Sequence, residues 1–266
     1  MEKQAISSYD EAVEYIFNVP RFTKKNTMAD TKAFLEKLGN PDLGLRIIHV
    51  AGTNGKGSVC AYMRNVLEAA GKRVAVFTSP HLVDVRERFV IDGEMISNEE
   101  FTNIFNEVMN VVNCMKNEGY EHPTFFEFIY GMGMLVFSRN EVEYAVVEAG
   151  MGGLMDTTNI VSSPMACVIT SIGLDHTQYL GDTIEKITAE KCGIIKQNGN
   201  VVCYPDLSDE AISVVKTFCE KKNAELTIAD MPLILEGNSF SYKGDIYNLK
   251  MEGDFQKLNA SLVICT

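Results

Sequence analysis

Residues 49–58 read HVAGTNGKGS, and the reading of this decapeptide decides the fold. It follows the apolar run Arg46–Ala51, which suits a buried strand, and it opens an amphipathic helix expected over Ser58–Ala70. A strand that passes into a helix through a glycine-rich turn is the setting of a phosphate-binding loop. Gly52, Gly55 and Gly57 let the backbone N–H groups of the run Gly52-Thr53-Asn54-Gly55 approach phosphate oxygens. Lys56 is placed to bridge the β and γ phosphates, and Ser58 to give its hydroxyl to phosphate or metal at the helix N-terminus. The generic pattern has Ser or Thr directly after the lysine, whereas here Gly57 intervenes.

Outward from this loop, apolar runs alternate with amphipathic segments. Strands are expected at Arg73–Thr78, Glu143–Glu148, Met165–Ser171 and Asn200–Cys203, and helices at 97–117, 124–138, 183–195 and 208–222. This rhythm predicts a mostly parallel α/β sheet covered by helices on both faces. Three helix starts carry a capping residue with an acid three positions on: Ser97 with Glu100, Thr124 with Glu127, and Asp182 with Glu185. Beyond Ala224 the short segments LILEG, SFSYKG and DIYNLKM, separated by glycine, predict a small antiparallel edge near the C-terminus.

The composition, 46% hydrophobic and 23% charged over 266 residues, allows one large domain or two small ones. With 36 acidic against 24 basic residues the formal charge is −12, which repels a nucleic-acid backbone. Seven scattered cysteines without a C-x-x-C pair are expected as reduced thiols in a cytoplasmic protein. The N-terminus lacks the apolar stretch of a signal peptide, and the apolar region 125–137 is interrupted by Glu127, so no membrane partner is expected.

Further motifs stand in order along the chain: TSPHL at 78–82, TFFEF at 124–128, EAGMGG at 148–153, DTTN at 156–159, SIGLDHT at 171–177 and AEKCGI at 189–194. Together with GTNGKGS they resemble the folylpolyglutamate and dihydrofolate synthases, relatives of the muramyl (Mur) amino-acid ligases, from about Tyr9 to Ala260. The resemblance implies a P-loop NTPase-like Mur ligase central domain over 1–254. It also implies a hinge beginning over 255–266 that leads to a C-terminal glutamate-binding domain. The apolar ending SLVICT suggests a truncated chain.

Glu148 ends one predicted strand and His176 lies just beyond another, at the sheet edge where ligands of open α/β folds bind. The resemblance assigns both to Mg²⁺, with Ser79 completing the shell and His176 also serving catalysis. Lys191 shares an apolar stripe with Ile184, Ile187 and Ile194. Periodicity leaves two readings of it: a lysine whose head reaches water, or a buried amine of lowered pKa able to take up CO₂. The resemblance implies the second, a carbamylated Lys191.

On the folate side, the segment 79–96 resembles the family's Ω loop, and His81 is a further candidate contact. Thr124 and Phe126 match positions that the family places beside the pterin, although Thr124 with Glu127 also reads as a capping box and the phenylalanines as core. Asp156 is another pterin candidate. The string GDFQKLNA resembles the family's hinge with Phe255 in place of histidine, which leaves Gln256 and Asn259 for adenine or ribose, or as plain linker residues. Leu154 stands where the family commonly has arginine.

The chemistry implied is ATP-dependent ligation of L-glutamate to a folate or dihydropteroate carboxylate through an acyl phosphate, with ADP and phosphate released, by a monomer. Two alternatives differ from it. A muramyl ligase would carry a nucleotide-sugar domain before the loop, yet only 51 residues precede Gly52. A non-catalytic nucleotide-binding module would not need Lys56, Glu148, His176 and Lys191 together.

Overall fold

A computed structural model describes residues 6–19 and 27–266. Helices α1 (Tyr9–Asn18) and α2 (Met28–Lys37) precede the first strand, β1 (Arg46–Ala51), and α3 (Lys56–Ala69) follows it directly. Then come β2 (Val74–Phe77), the two-residue strands β3 (Val90–Ile91) and β4 (Glu94–Met95), α4 (Asn98–Asn117), α5 (Phe125–Arg139) and β5 (Tyr144–Glu148). The chain continues through β6 (Ala166–Ile169), the short α6 (Thr177–Leu180), α7 (Ile184–Cys192), β7 (Asn200–Cys203), α8 (Asp209–Lys222) and β8 (Glu225–Ile228). It ends with β9 (Leu233–Ile234), β10 (Ser239–Tyr242), β11 (Asp245–Asn248) and α9 (Asp254–Cys265).

Eight strands form one sheet in the order β4-β3-β2-β5-β1-β6-β7-β8, in which β2, β5, β1, β6, β7 and β8 run parallel and the β3–β4 hairpin adds an antiparallel edge. The central strands are apolar on both faces because both are covered. Ile47, Ala75, Phe77, Ala145 and Val147 face a phenylalanine-rich core built with α1, α2, α4 and α5. Ile48, Val50, Val74, Val76 and Val146 face the other core, made with α3, α7, α8 and α9.

The small antiparallel element near the C-terminus is present as a sheet of its own, β11-β10-β9. The parallel rhythm lasts one strand longer than expected, since β8 beyond Ala224 still pairs with β7. Ser97 and Thr124 cap their helices as expected, and Thr124 forms the full capping box with Glu127. At α7 the cap is Thr183 in place of Asp182, because the Asp182 carboxylate is drawn to Lys186 Nζ, 2.8 Å away, and the Thr183 hydroxyl takes the Lys186 amide. No described helix is long and apolar enough to cross a membrane.

Candidate functional site

Strand β1 lies between β5 and β6, and the loops leaving β1 and β6 depart to connect with opposite halves of the sheet. A crevice opens at such a switch point, at the carboxyl ends of the strands. The phosphate loop fills it. Gly55 adopts φ 84° and serves as the cap of α3, so the helix begins at Lys56, two residues before the expected Ser58. That left-handed turn is what glycine permits at little cost. With neither a side-chain cap nor an acid in the first turn of α3, the amides there are free for an anion.

The β6 end braces the loop from one side. Thr53 N donates to Ser171 O at 2.7 Å, Thr53 Oγ1 donates to Gly173 O at 3.1 Å, and Thr170 Oγ1 donates to Asn54 O at 2.8 Å. Gly52 passes so close to Thr170 that an added Cβ would lie 1.8 Å from its Oγ1. Helix α9 braces the other side: Gln256 Nε2 donates to Ser58 Oγ at 3.2 Å and Asn259 Nδ2 to Gln256 Oε1 at 3.1 Å. Asn259 also lies against Gly55, where a Cβ would come within 2.7 Å of its Oδ1. Both amide side chains are buried, so the two hinge candidates form part of the loop's support.

Two lysines converge on one carbonyl. Lys191 Nζ donates to Gly52 O at 2.7 Å, and Lys56 Nζ donates to the same oxygen and to Thr53 O, each at 3.1 Å. Lys191 is only 3% exposed, and burial, reinforced by the charge of Lys56, pushes its pKa down to about 8. The apolar stripe therefore does bury this amine. Between about 8 and the ordinary value of 10.5 the unfolded chain holds a proton that the folded chain has released, so raising the pH through that window stabilises the fold. In CO₂-free buffer, the stability of the chain relative to a Lys191→Met variant is expected to rise by roughly 3 kcal/mol across the window. A pH-independent difference in denaturant midpoints would contradict the burial of a titrating amine.

Glu148, at the end of β5, is buried, and its Oε2 accepts the Ser79 amide at 3.1 Å. Desolvation raises its pKa, opposed by that amide and by Lys56 and Arg88. Ser79 and Glu148 thus meet. His176 caps α6 at φ 46°, its side chain is 54% exposed, and its Nε2 lies 3.6 Å from Asp175. Among the described residues no cluster of three or more His, Cys, Asp or Glu stands together.

Of the folate-side candidates, Phe126 and Asp156 meet the EAGMGG loop. Phe126 packs on Phe77 at 5.9 Å and beneath Gly150, whose Cβ would fall 2.6 Å from its ring. Thr124 is the α5 cap, so its hydroxyl faces Glu127 N. His81 accepts from Arg88 Nε at 2.8 Å, and Arg88 in turn lies over the Phe125 ring at 5.6 Å. Asp156 is buried and accepts from Met151 N at 2.8 Å, Thr158 N at 3.0 Å and Thr158 Oγ1 at 2.6 Å. At Leu154, where the family commonly has arginine, the backbone N–H donates to Glu190 O at 2.7 Å.

This loop also seats the lysine. A Cβ on Gly153 would meet Glu190 O at 2.6 Å and Lys191 O at 2.7 Å. Because those atoms are backbone, Gly153→Ala must push the end of α7 away, and a loss of roughly 2–3 kcal/mol is expected in chemical denaturation. An unchanged midpoint would show that α7 is not held there. Thr170, Ser171 and Arg88 were not among the sequence candidates. Thr170 and Ser171 begin or precede a quoted motif, but nothing in their residue types marks them as braces.

Residues 50–266 match the family model of the Mur ligase middle domain. The dihydrofolate synthase/folylpolyglutamate synthase of Bacillus subtilis is 35% identical over 271 residues, covering 97% of this chain and 63% of that protein. The apo folylpolyglutamate synthase (FPGS) of L. casei superposes with a TM-score of 0.89 at 32% identity, covering 97% of this chain and 66% of that one. An FPGS–AMPPCP–folate complex gives the same TM-score, identity and coverage. The chain spans 43% and 63% of two curated relatives that it matches. On the match over residues 50–266, with the phosphate loop, its lysines and the parallel sheet in place, the chain belongs to the Mur ligase middle-domain family.

Proposed function

We propose that this chain binds ATP and a folate within a ligase that joins L-glutamate to a folate carboxylate. The observation that carries the reading is the convergence of Lys56 and Lys191 on Gly52 O, at the mouth of a loop whose helix N-terminus is open to an anion. The Lys56 ammonium beside the open N-terminus of α3 suits a triphosphate, and a carbonyl is a weak partner that a γ-phosphate readily displaces. The synthase complex with AMPPCP and folate supports the same reading.

In the proposed reaction a folate carboxylate oxygen attacks the γ-phosphorus, the bond to the β-phosphate oxygen breaks, and ADP leaves. The amino group of glutamate then attacks the acyl carbon, phosphate is expelled, and the nitrogen's proton passes to solvent or to the departing phosphate. The chain contributes position and charge: α3 amides and Lys56 hold the β and γ phosphates, and water is kept out by the loops at 52–55 and 149–154. The buried Glu148 carboxylate accepts the Ser79 amide, and the carboxylate and the serine hydroxyl are the hard oxygen donor types that fit Mg²⁺. Glu148, Ser79 and His176 would hold that ion, which would supply charge neutralisation at the phosphates.

Lys191 is proposed as the carbamate site. Its pKa of about 8 leaves a share of neutral amine near pH 7, whose lone pair adds to CO₂ carbon with release of a proton. Pterin contact is proposed for Phe126, Thr124, His81 and the loop around Asp156. Gln256 and Asn259 are proposed to reach the nucleotide from α9. The reading further proposes a monomer and a cytoplasmic location.

Calorimetric titration of the chain with ATP–Mg²⁺, dihydropteroate and a tetrahydrofolate tests the reading. Binding of nucleotide and of at least one pterin is expected, without glutamate ligation by the 266-residue chain alone. Binding of neither ligand would defeat the proposal, and ligation by this chain alone would remove the need for a further domain.

A further inference from the structure

His49 opens the phosphate-loop decapeptide yet has no part in the chemistry above. It is completely buried on β1, and its Nε2 lies 2.8 Å from Thr158 Oγ1. Thr158 Oγ1 lies 2.6 Å from Asp156 Oδ1. Thr158 Oγ1 is the donor in that bond, so its single hydroxyl proton goes to Asp156 Oδ1. His49 Nε2 must then be the donor to Thr158, which sets the ring tautomer and leaves Nδ1 as a bare acceptor.

That Nδ1 has no hydrogen-bond partner among the described residues. An apolar side chain could occupy this place on β1 without burying an orphaned nitrogen, so the ring stands there at a cost. The bonds run in one direction, from His49 Nε2–H to Thr158 Oγ1–H to Asp156 Oδ1. The far oxygen of Asp156 accepts the Met151 amide at 2.8 Å. A strand that leads into the phosphate loop is thereby tied to the loop that carries Gly150 against Phe126 and Gly153 against the end of α7. Burial, with the nearby charge of Lys196, pushes the His49 pKa down to about 3, which keeps the ring neutral in ordinary buffers.

We infer that His49 is a positioning residue: through Thr158 it holds the Asp156 carboxylate, and with it the 149–158 loop, in place for the folate. The folate part rests on the function proposed above. The hydrogen-bond relay does not.

Three measurements on the 266-residue chain test it. Nitrogen NMR of the imidazole is expected to show a neutral ring protonated at Nε2; a ring protonated at Nδ1 overturns the inference. In hydrogen exchange, His49→Leu and Thr158→Val are each expected to speed exchange of the Met151 amide about tenfold, with the Val201 amide in β7 unchanged as a control for the fold. His49→Gln offers a side-chain N–H near the Nε2 position and is expected to keep Met151 protected. Unchanged Met151 exchange in His49→Leu, or equal loss in His49→Gln, counts against the relay.

In ligand titrations His49→Leu is expected to weaken dihydropteroate binding about tenfold while ATP affinity stays within twofold, and His49→Gln to recover it. Equal losses for both ligands would overturn the positioning role. If the wild-type chain binds no folate, the proposed function fails, whereas the tautomer and the Met151 exchange still decide the relay. Should His49→Leu not fold, the wild-type tautomer remains decisive.

Discussion

Replacing Lys56 by alanine is expected to weaken ATP–Mg²⁺ binding by this chain at least about tenfold while leaving its fold intact. In the absence of nucleotide the ammonium rests on two carbonyls, Gly52 O and Thr53 O, both within its own loop. Those bonds join groups that water can partly replace, because Lys56 is only half-buried, so the stability loss should stay near 1 kcal/mol. A triphosphate offers the same ammonium a charge-assisted bond worth about 1.5–3 kcal/mol, or roughly 10–150-fold in affinity. The loss in turnover should be larger still, because charge on the γ-phosphoryl oxygens is stabilised most in the transition state. Calorimetry of Lys56→Ala against a Lys72→Ala control separates this from general charge loss, since Lys72 is a surface residue paired with Glu143. Equal ATP affinity in both variants would remove the loop from nucleotide binding.

Lys191→Ala is expected to cost at least about 100-fold in the activity of the complete ligase, with the helix preserved. The side chain is buried and its only hydrogen bond shown is to Gly52 O, so truncation takes a support from the loop and an amine from the site at once. Alanine is the best helix former, and removing a buried ammonium also removes its desolvation cost, so the folded state should persist. If a carbamate at this position does the work, a short carboxylic acid in solution should restore part of the activity by taking its place. Lys191→Met should lose activity equally and show no gain from added CO₂. A fully active Lys191→Ala enzyme would end the proposal, and loss of activity without rescue would favour the bond to Gly52 O over the carbamate.

The parts of the fold that were legible from sequence are those governed by local pattern. Strands such as Arg46–Ala51 and Tyr144–Glu148 must be apolar on both faces to lie between two helical layers, and that leaves a continuous run that periodicity detects. The Thr124–Glu127 capping box was legible for the same reason, since both partners lie within one turn. Where two local signals competed, pattern misplaced the boundary: Asp182 and Thr183 both suit a cap, and the choice fell to the pairing of Asp182 with Lys186. The continuation of the sheet to β8 was hidden because Glu225–Ile228 is an edge strand, whose alternating exposure resembles a hairpin.

By itself the sequence determined that this chain builds a parallel α/β sheet with a phosphate loop on its central strand, and that Lys56 stands at the mouth. Spacing along one chain is enough for that, because strand, turn, lysine and helix are contiguous. Tertiary structure alone decided which distant groups meet: Lys191 with Gly52, 139 residues apart, Glu148 with Ser79, Gln256 with Ser58, and His49 with Thr158. It also set the exposed His176 beside Asp175. Those meetings depend on the order in which strands lie in the sheet and on how closely glycines such as Gly52 and Gly153 let neighbouring backbones approach. Strand order and backbone approach are set by the packing of the whole core, and hydrophobic periodicity within any one segment does not encode them.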